Sequence, residues 1–155
     1  MSIESKPIRR SHLIVLGVFF VSFVALSIWG RMWPTKSITI DGNELTVLVA
    51  NTPERRFIGL GGRSSLGDYD GMLFLFDESR QYPFVMRDME FSIDILWIDN
   101  GRIVDIAPEA IPEPGKPEEQ LVRYYPRQPA TTVLEVPAGW SATHGVVIGD
   151  YVSGF

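Results

Sequence analysis

The stretch "DILWIDNGRIVDIA", Asp94 to Ala107, decides the fold. Two apolar segments meet at Asn100-Gly101, the dipeptide best suited to a two-residue turn that needs positive φ at both positions. A β-hairpin is predicted here. Just upstream stands a dense polar knot, Met86-Arg87-Asp88-Met89-Glu90. Alternate strand residues share a face, so Ser92, Asp94, Leu96 and Ile98 lie together, opposite Phe91, Ile93, Ile95 and Trp97. Both faces are largely apolar. The Asp94 carboxylate is therefore expected to be buried at least in part, and to need a partner.

Working outward, "SITI" and "ELTVLVA" flank Asp41-Gly42-Asn43, a second hairpin signal. In "NTPERRFIGLGG", Thr52 is suited to an N-cap, Pro53 to the first helical position and Glu54 to the positive helix end, while Gly61-Gly62 stops the turn. "GMLFLF", Gly71 to Phe76, is an apolar run of strand length, expected to be buried on both faces. "PEAIPEPGKPEE", residues 108–119, reads as an exposed extended loop. "TTVLEV" is a further strand, "PAGWSATHG" a short helical turn, and "GDYV" the segment that closes the sheet. The expected fold is mostly β, a compact barrel-like domain of short strands with two short helices.

The N-terminal stretch is of another kind. Leu13 to Gly30, "LIVLGVFFVSFVALSIWG", carries no charge. As a helix it would span roughly 27 Å, close to the hydrocarbon thickness of a bilayer. Lys6, Arg9 and Arg10 precede it, and Trp29 and Trp33 stand where an interfacial aromatic belt belongs. The expected layout is a cytoplasmic N-terminus over 1–12, a single-pass transmembrane anchor over 13–33 and an extracytoplasmic domain over 34–155. This places the chain in a bacterial inner membrane. The charge bias that sets the orientation is small, because Arg31 and Lys36 follow the span.

Composition removes several function classes. No cysteine is present, which excludes disulfides, thiolate metal sites and cysteine nucleophiles. From Pro34 onward ten basic residues face eighteen acidic ones, a net of −8 hidden within an overall −5. Such a domain repels a phosphate backbone, so no nucleic-acid partner is expected.

Three stretches, "TPERRFIGLGGRSSLGDYDGMLFLF", "FVMRDMEFSIDILWIDNGRIV" and "TTVLEVPAGWSATHGVVIGD", together resemble the bacterial and archaeal family called domain of unknown function 192. The matching positions include Thr52, Gly59-Leu60, Arg63, Leu66, Gly71 to Phe74, Phe84, Met86, Asp94, Asp99, Glu135 and Gly139. The resemblance implies a small, mostly-β fold, often behind a signal sequence or membrane anchor, and implies no reaction. The family's Phe-Trp-Met-Lys-Asn-Thr resembles Phe84 to Met89 here, with Val85 in place of tryptophan, Asp88 in place of the amide and Met89 in place of the hydroxyl.

For the charged knot two uses compete. In one, an arginine among Arg55, Arg56, Arg63 and Arg87 clamps Asp94 and ties helix to sheet, with backbone N–H groups as further partners. In the other, Arg63, Arg87, Asp88, Asp94, Phe84 and Met86 line a pocket in which arginine grips a small anion, a glycan or a peptide end. Tyr124 and Tyr125 are further candidates for apolar walls. Hydrolysis would need a carboxylate pair, for which Asp94, Asp88 and Glu90 are the candidates. A serine triad lacks support, since His144 is the sole histidine after Pro34 and no G-x-S-x-G elbow occurs. "DYDG", Asp68 to Gly71, lacks the later ligands of a calcium loop. Neither a metal nor a cofactor is expected. The leading expectation is an anchored binding or accessory domain acting through Met86 to Asp94. A hydrolase of an envelope substrate and a structural partner of an envelope complex stand behind it.

Overall fold

The computed structural model describes residues 17–20, 22 and 33–154. Met1–Trp33 and Pro34–Phe155 form separate compact units. In the first, residues 17–20 and 22 are helical, and Val18, Phe19 and Phe20 are exposed. Most of the expected anchor lies outside the described residues. Among the described residues no helix is long and apolar enough to cross a membrane.

The second unit is a seven-stranded sheet curled into a half-barrel. Its strands are β1 (Thr35–Ile40), β2 (Asn43–Ala50), β3 (Gly71–Arg80), β4 (Ile93–Asp99), β5 (Arg102–Ala110), β6 (Ala130–Pro137) and β7 (Val152–Ser153). Helix α1 (Pro53–Ile58) follows β2, and α2 (Trp140–Thr143) follows β6. The strand order is β5-β4-β6-β3-β2-β1-β7. All neighbours run antiparallel except β2 and β3, which α1 connects as a parallel crossover. At one end the outer strands meet. Arg102 bridges Tyr151, and the N–H of Ile103 donates to the Asp150 carbonyl at 3.0 Å.

The local chemistry explains the local elements. Asp41 and Gly42 have φ of 45° and 80°, and Asn100 and Gly101 have 50° and 71°, as the two tight hairpins require. Thr52 caps α1, its hydroxyl accepting the Arg55 N–H at 3.3 Å, with Pro53 in the first turn. The acid-rich stretch from Pro108 is less uniform than its composition suggests. β5 continues through Ala110, and Glu118–Gln120 form a 3-10 turn.

Two apolar layers result from strand alternation. Leu45, Val47, Leu73, Leu96, Ile98, Leu134 and Val136 fill the inside of the curl with Ile38, Ile40, Ile103 and Val152. Met72, Phe74, Ile93, Ile95, Trp97 and Val133 lie on the opposite face and are also buried. The turn after α1 and the segment Tyr82–Met89 cover that second face through Leu60, Phe84, Met86 and Met89. Burying such side chains contributes about 1.5–3 kcal/mol each. This second layer carries the pocket.

Candidate functional site

Asp94 belongs to the inner face, in register with Val136 and fully buried. The expected arginine clamp is corrected here, because the partners are backbone N–H groups. Oδ1 accepts from Glu109 at 2.9 Å and Gly139 at 3.0 Å, and Oδ2 accepts from Ser141 at 3.0 Å. Glu109 and Gly139 hold positive φ of 52° and 79°, and it is these backbone turns that aim their N–H groups at the carboxylate. Asp94 thus caps α2 from another strand and pins the irregular end of β5. Burial alone would raise its pKa. The three N–H donors outweigh that and hold it below the ordinary value.

The arginines are occupied elsewhere. Arg55 donates to Asn51 Oδ1 at 3.1 Å, and Arg56 to the Leu75 carbonyl at 2.7 Å. Arg87 grips Glu118 with two N–H groups, at 2.6 and 2.5 Å, and donates to the Phe57 carbonyl at 2.9 Å. Its guanidinium also lies 4.3 Å from the centroid of the Phe57 ring. A comparable clamp, unforeseen from the sequence, joins β5 to a later loop. Buried Asp105 accepts the Arg127 backbone N–H and side-chain Nη2, both at 2.6 Å.

Between the two covering segments and the outer face of β3 and β6 lies a cavity of about 260 Å³. Phe74 and Phe76 come from β3 and Glu135 from β6. Arg56 to Gly61 form one wall, and Tyr82 to Val85 with Arg87 and Met89 the other. The rings interlock: Phe84 stands edge-on to Phe74 at 5.0 Å between centroids, and Phe76 stacks on Tyr82 at 3.8 Å. Gly61 is needed for the walls to close. A Cβ there would sit 3.0 Å from the Arg87 carbonyl and 3.1 Å from that of Ile58.

Glu135 sets the character of this cavity. It is 5% exposed, and its Oε2 has no hydrogen-bond partner. Its strand neighbours are Met72 and Ile95, and among the described residues no ion pair reaches it. Burial therefore pushes its carboxyl up to about 8, so it is mostly protonated at neutral pH. An unpaired buried polar group costs about 1–3 kcal/mol. Perturbed groups of this kind concentrate at functional sites.

The expected site residues divide. Phe84 and Arg87 line the cavity. Met86 and Asp88, again with Arg87, line a smaller one of about 150 Å³ against Glu113 to Leu121. Arg63, at the exit of α1, lines neither, and Glu90 is exposed. Asp94 is on the other face of the sheet. Tyr124 pairs its backbone with Phe84 instead of walling the cavity. Asp88 has φ of 52°, a conformation that aspartate and asparagine tolerate best, and its carbonyl accepts the Gly62 N–H at 2.8 Å. Its place in the chain is thus explained by backbone geometry. Glu135, Arg56 and Phe76 were missed as site residues, while Met89 falls within the expected Met86 to Asp94 segment. The available signal was a lone carboxylate in "TTVLEV", a strand otherwise apolar at its centre.

Comparison with known proteins agrees with this architecture. A solved structure from Sinorhizobium meliloti 1021, described as a candidate transcription regulator, superposes with a TM-score of 0.68 at 29% identity, covering 79% of this chain and 95% of that one. A protein of unknown function from Novosphingobium aromaticivorans DSM 12444 gives 0.66 at 27% identity, covering 77% and 84%. No curated protein matches the chain significantly. The model of the DUF192 family, described as "Uncharacterized ACR", matches residues 36–154, nearly the whole of the half-barrel together with both walls of its pocket, and the chain belongs to that family.

Proposed function

We propose that this chain is a non-catalytic binding module, whose half-barrel holds a small molecule in the Glu135 cavity. One observation carries the reading. A carboxyl group with a partnerless oxygen is the one acid lining a cavity walled by Phe74, Phe76, Phe84 and Met89 together with Arg56 and Arg87, so the protein leaves a hydrogen-bonding position for something else to fill. The cavity suits one small ligand. Hydrolysis by paired carboxylates is disfavoured, because Glu135 is the single acid among the lining residues and Asp94 faces the other way. The regulator description of the Sinorhizobium meliloti protein is not carried over, since a net of −8 from Pro34 onward opposes contact with a phosphate backbone.

The test uses the full-length chain and a panel of small amines, carboxylates and alcohols, read by NMR chemical-shift changes. Shifts are expected at residues 56–61, 82–89 and 135, and they should vanish in Val85→Trp. That variant places an indole on the cavity wall at a position where the family pattern carries tryptophan. Perturbations scattered away from these residues, or none, would refute the binding role.

The module is further proposed to sit at the bacterial inner membrane on its extracytoplasmic side. Support comes from the uncharged run Leu13 to Gly30 and its flanking bases. The full-length chain should remain in alkali-washed membranes and lose a C-terminal tag to protease added outside spheroplasts. Release by alkali, or protection of the tag, would overturn that placement.

A further inference from the structure

We infer that the ligand of the Glu135 cavity is a small organic cation: a protonated amine pairs with the Glu135 carboxylate, and an apolar body lies in the cavity against its aromatic and methionine walls. This rests on the binding role proposed above and names the chemistry of the ligand.

The reasoning begins with what the carboxyl lacks. No protein donor reaches Oε2, and the nearby arginines are committed to other acceptors. A neutral alcohol would add one ordinary hydrogen bond to an acid that stays protonated. An ammonium group adds a charge-assisted bond, about twice as strong, and would give Glu135 an ion-pair partner, which no side chain among the described residues provides. The walls suit a cation as well. Phe74, Phe76, Tyr82 and Phe84 offer aromatic surface, and ring faces in this cluster already carry cations: Arg56 lies 5.1 Å from the Phe76 centroid, and Arg87 covers Phe57.

The surrounding charges set further limits. Arg56 comes from α1, Arg87 and Tyr82 from the covering segment, and Glu118 offsets Arg87 from the loop beyond. Asp88 faces the adjoining smaller cavity. Arg56 is held by the Leu75 carbonyl and interacts with Glu54, and it stays a positive charge on the cavity wall. It disfavours a second ammonium, so a monoamine is preferred to a diamine. The net of −8 from Pro34 onward draws cations towards the domain as a whole.

Phenethylamine is the probe and 2-phenylethanol its neutral counterpart, titrated by calorimetry into the full-length chain in two buffers of different ionisation enthalpy. Glu135 must lose its proton to pair with the ammonium, so about 0.9 proton should be released per amine bound near pH 7. Apparent affinity should rise close to tenfold per pH unit between about pH 6 and 7, and level off as the carboxyl ionises on its own. Phenylethanol should bind at least about tenfold more weakly. Glu135→Gln should abolish proton release and the preference for the amine while leaving the alcohol's affinity within about threefold. Equal affinity for the two probes, or amine binding without proton release, would overturn the cation assignment and leave the binding role standing. If neither probe binds the cavity and Val85→Trp changes nothing, both readings fall.

Discussion

Two buried carboxyl groups stand on adjacent strands of one sheet and have opposite fates. Asp94 on β4 faces inward and receives three backbone N–H donors from two distant segments. Glu135 on β6 faces outward, with an oxygen that receives none. The first is ionised below the usual carboxylate range, and the second is pushed up to about 8. Both side chains are closed to solvent, and Glu135 lies deeper among protein atoms. Depth and donor supply together separate them, and for Asp94 that supply comes from backbone turns, not from charged side chains. The carboxylate that organises loops is fully satisfied by the fold, whereas Glu135 is left incomplete, as the proposed ligand site would require.

The sharpest way to break this contrast is Asp94→Asn, which keeps the shape but turns an NH₂ group towards backbone donors. A loss of about 3–5 kcal/mol in urea unfolding at neutral pH is expected. A loss below about 1 kcal/mol would mean that the three bonds contribute little beyond neutral ones. For wild-type Asp94 the lowered pKa implies stability that is present above its unfolded value and lost as pH falls through the folded one.

Glu135 has the opposite sign. Its folded pKa lies above the unfolded value, so the folded state keeps a proton that the unfolded chain releases. Stability is greatest below about pH 4, declines as pH rises and flattens once the pH passes the folded pKa. Between about pH 5 and 7 the decline attributable to this group is roughly 2–3 kcal/mol. Glu135→Gln removes the titrating group, so its stability profile should lack that slope when measured beside the wild type. Parallel profiles would show that Glu135 is compensated after all.

The smallest effect belongs to Val85→Trp. Val85 lines the cavity and is only half-buried, so stability should change by no more than about 1 kcal/mol. Loss of ligand binding with that small cost would separate the cavity's function from its structural share.

Much of the fold was legible because its signals are local. Asp41-Gly42 and Asn100-Gly101 each impose a turn through their own φ preferences, and Thr52-Pro53 starts a helix within one turn. The alternation from Asp94 to Ile98 placed the faces of β4 correctly. The partner of Asp94 was harder. An arginine is visible in a sequence, but an N–H aimed by a positive-φ Glu109 is not. The site was half legible for the same reason: Arg87 lies in the polar knot and Phe84 two residues before it, whereas Glu135 lies in a strand whose neighbours look ordinary.

By itself the sequence determined the mostly-β class, the two tight hairpins, the capped helix and the separation of an uncharged N-terminal run from an acidic domain. These follow from residue-level preferences and period-two patterning, which act over a few residues. Only the tertiary structure decided that β6 lies between β4 and β3, that the cover from residues 82–89 meets the turn after α1, and that Glu135 faces a cavity without a donor. Those outcomes depend on contacts between segments tens of residues apart, and the ionisation of a buried acid depends on which donors such contacts bring within hydrogen-bonding reach.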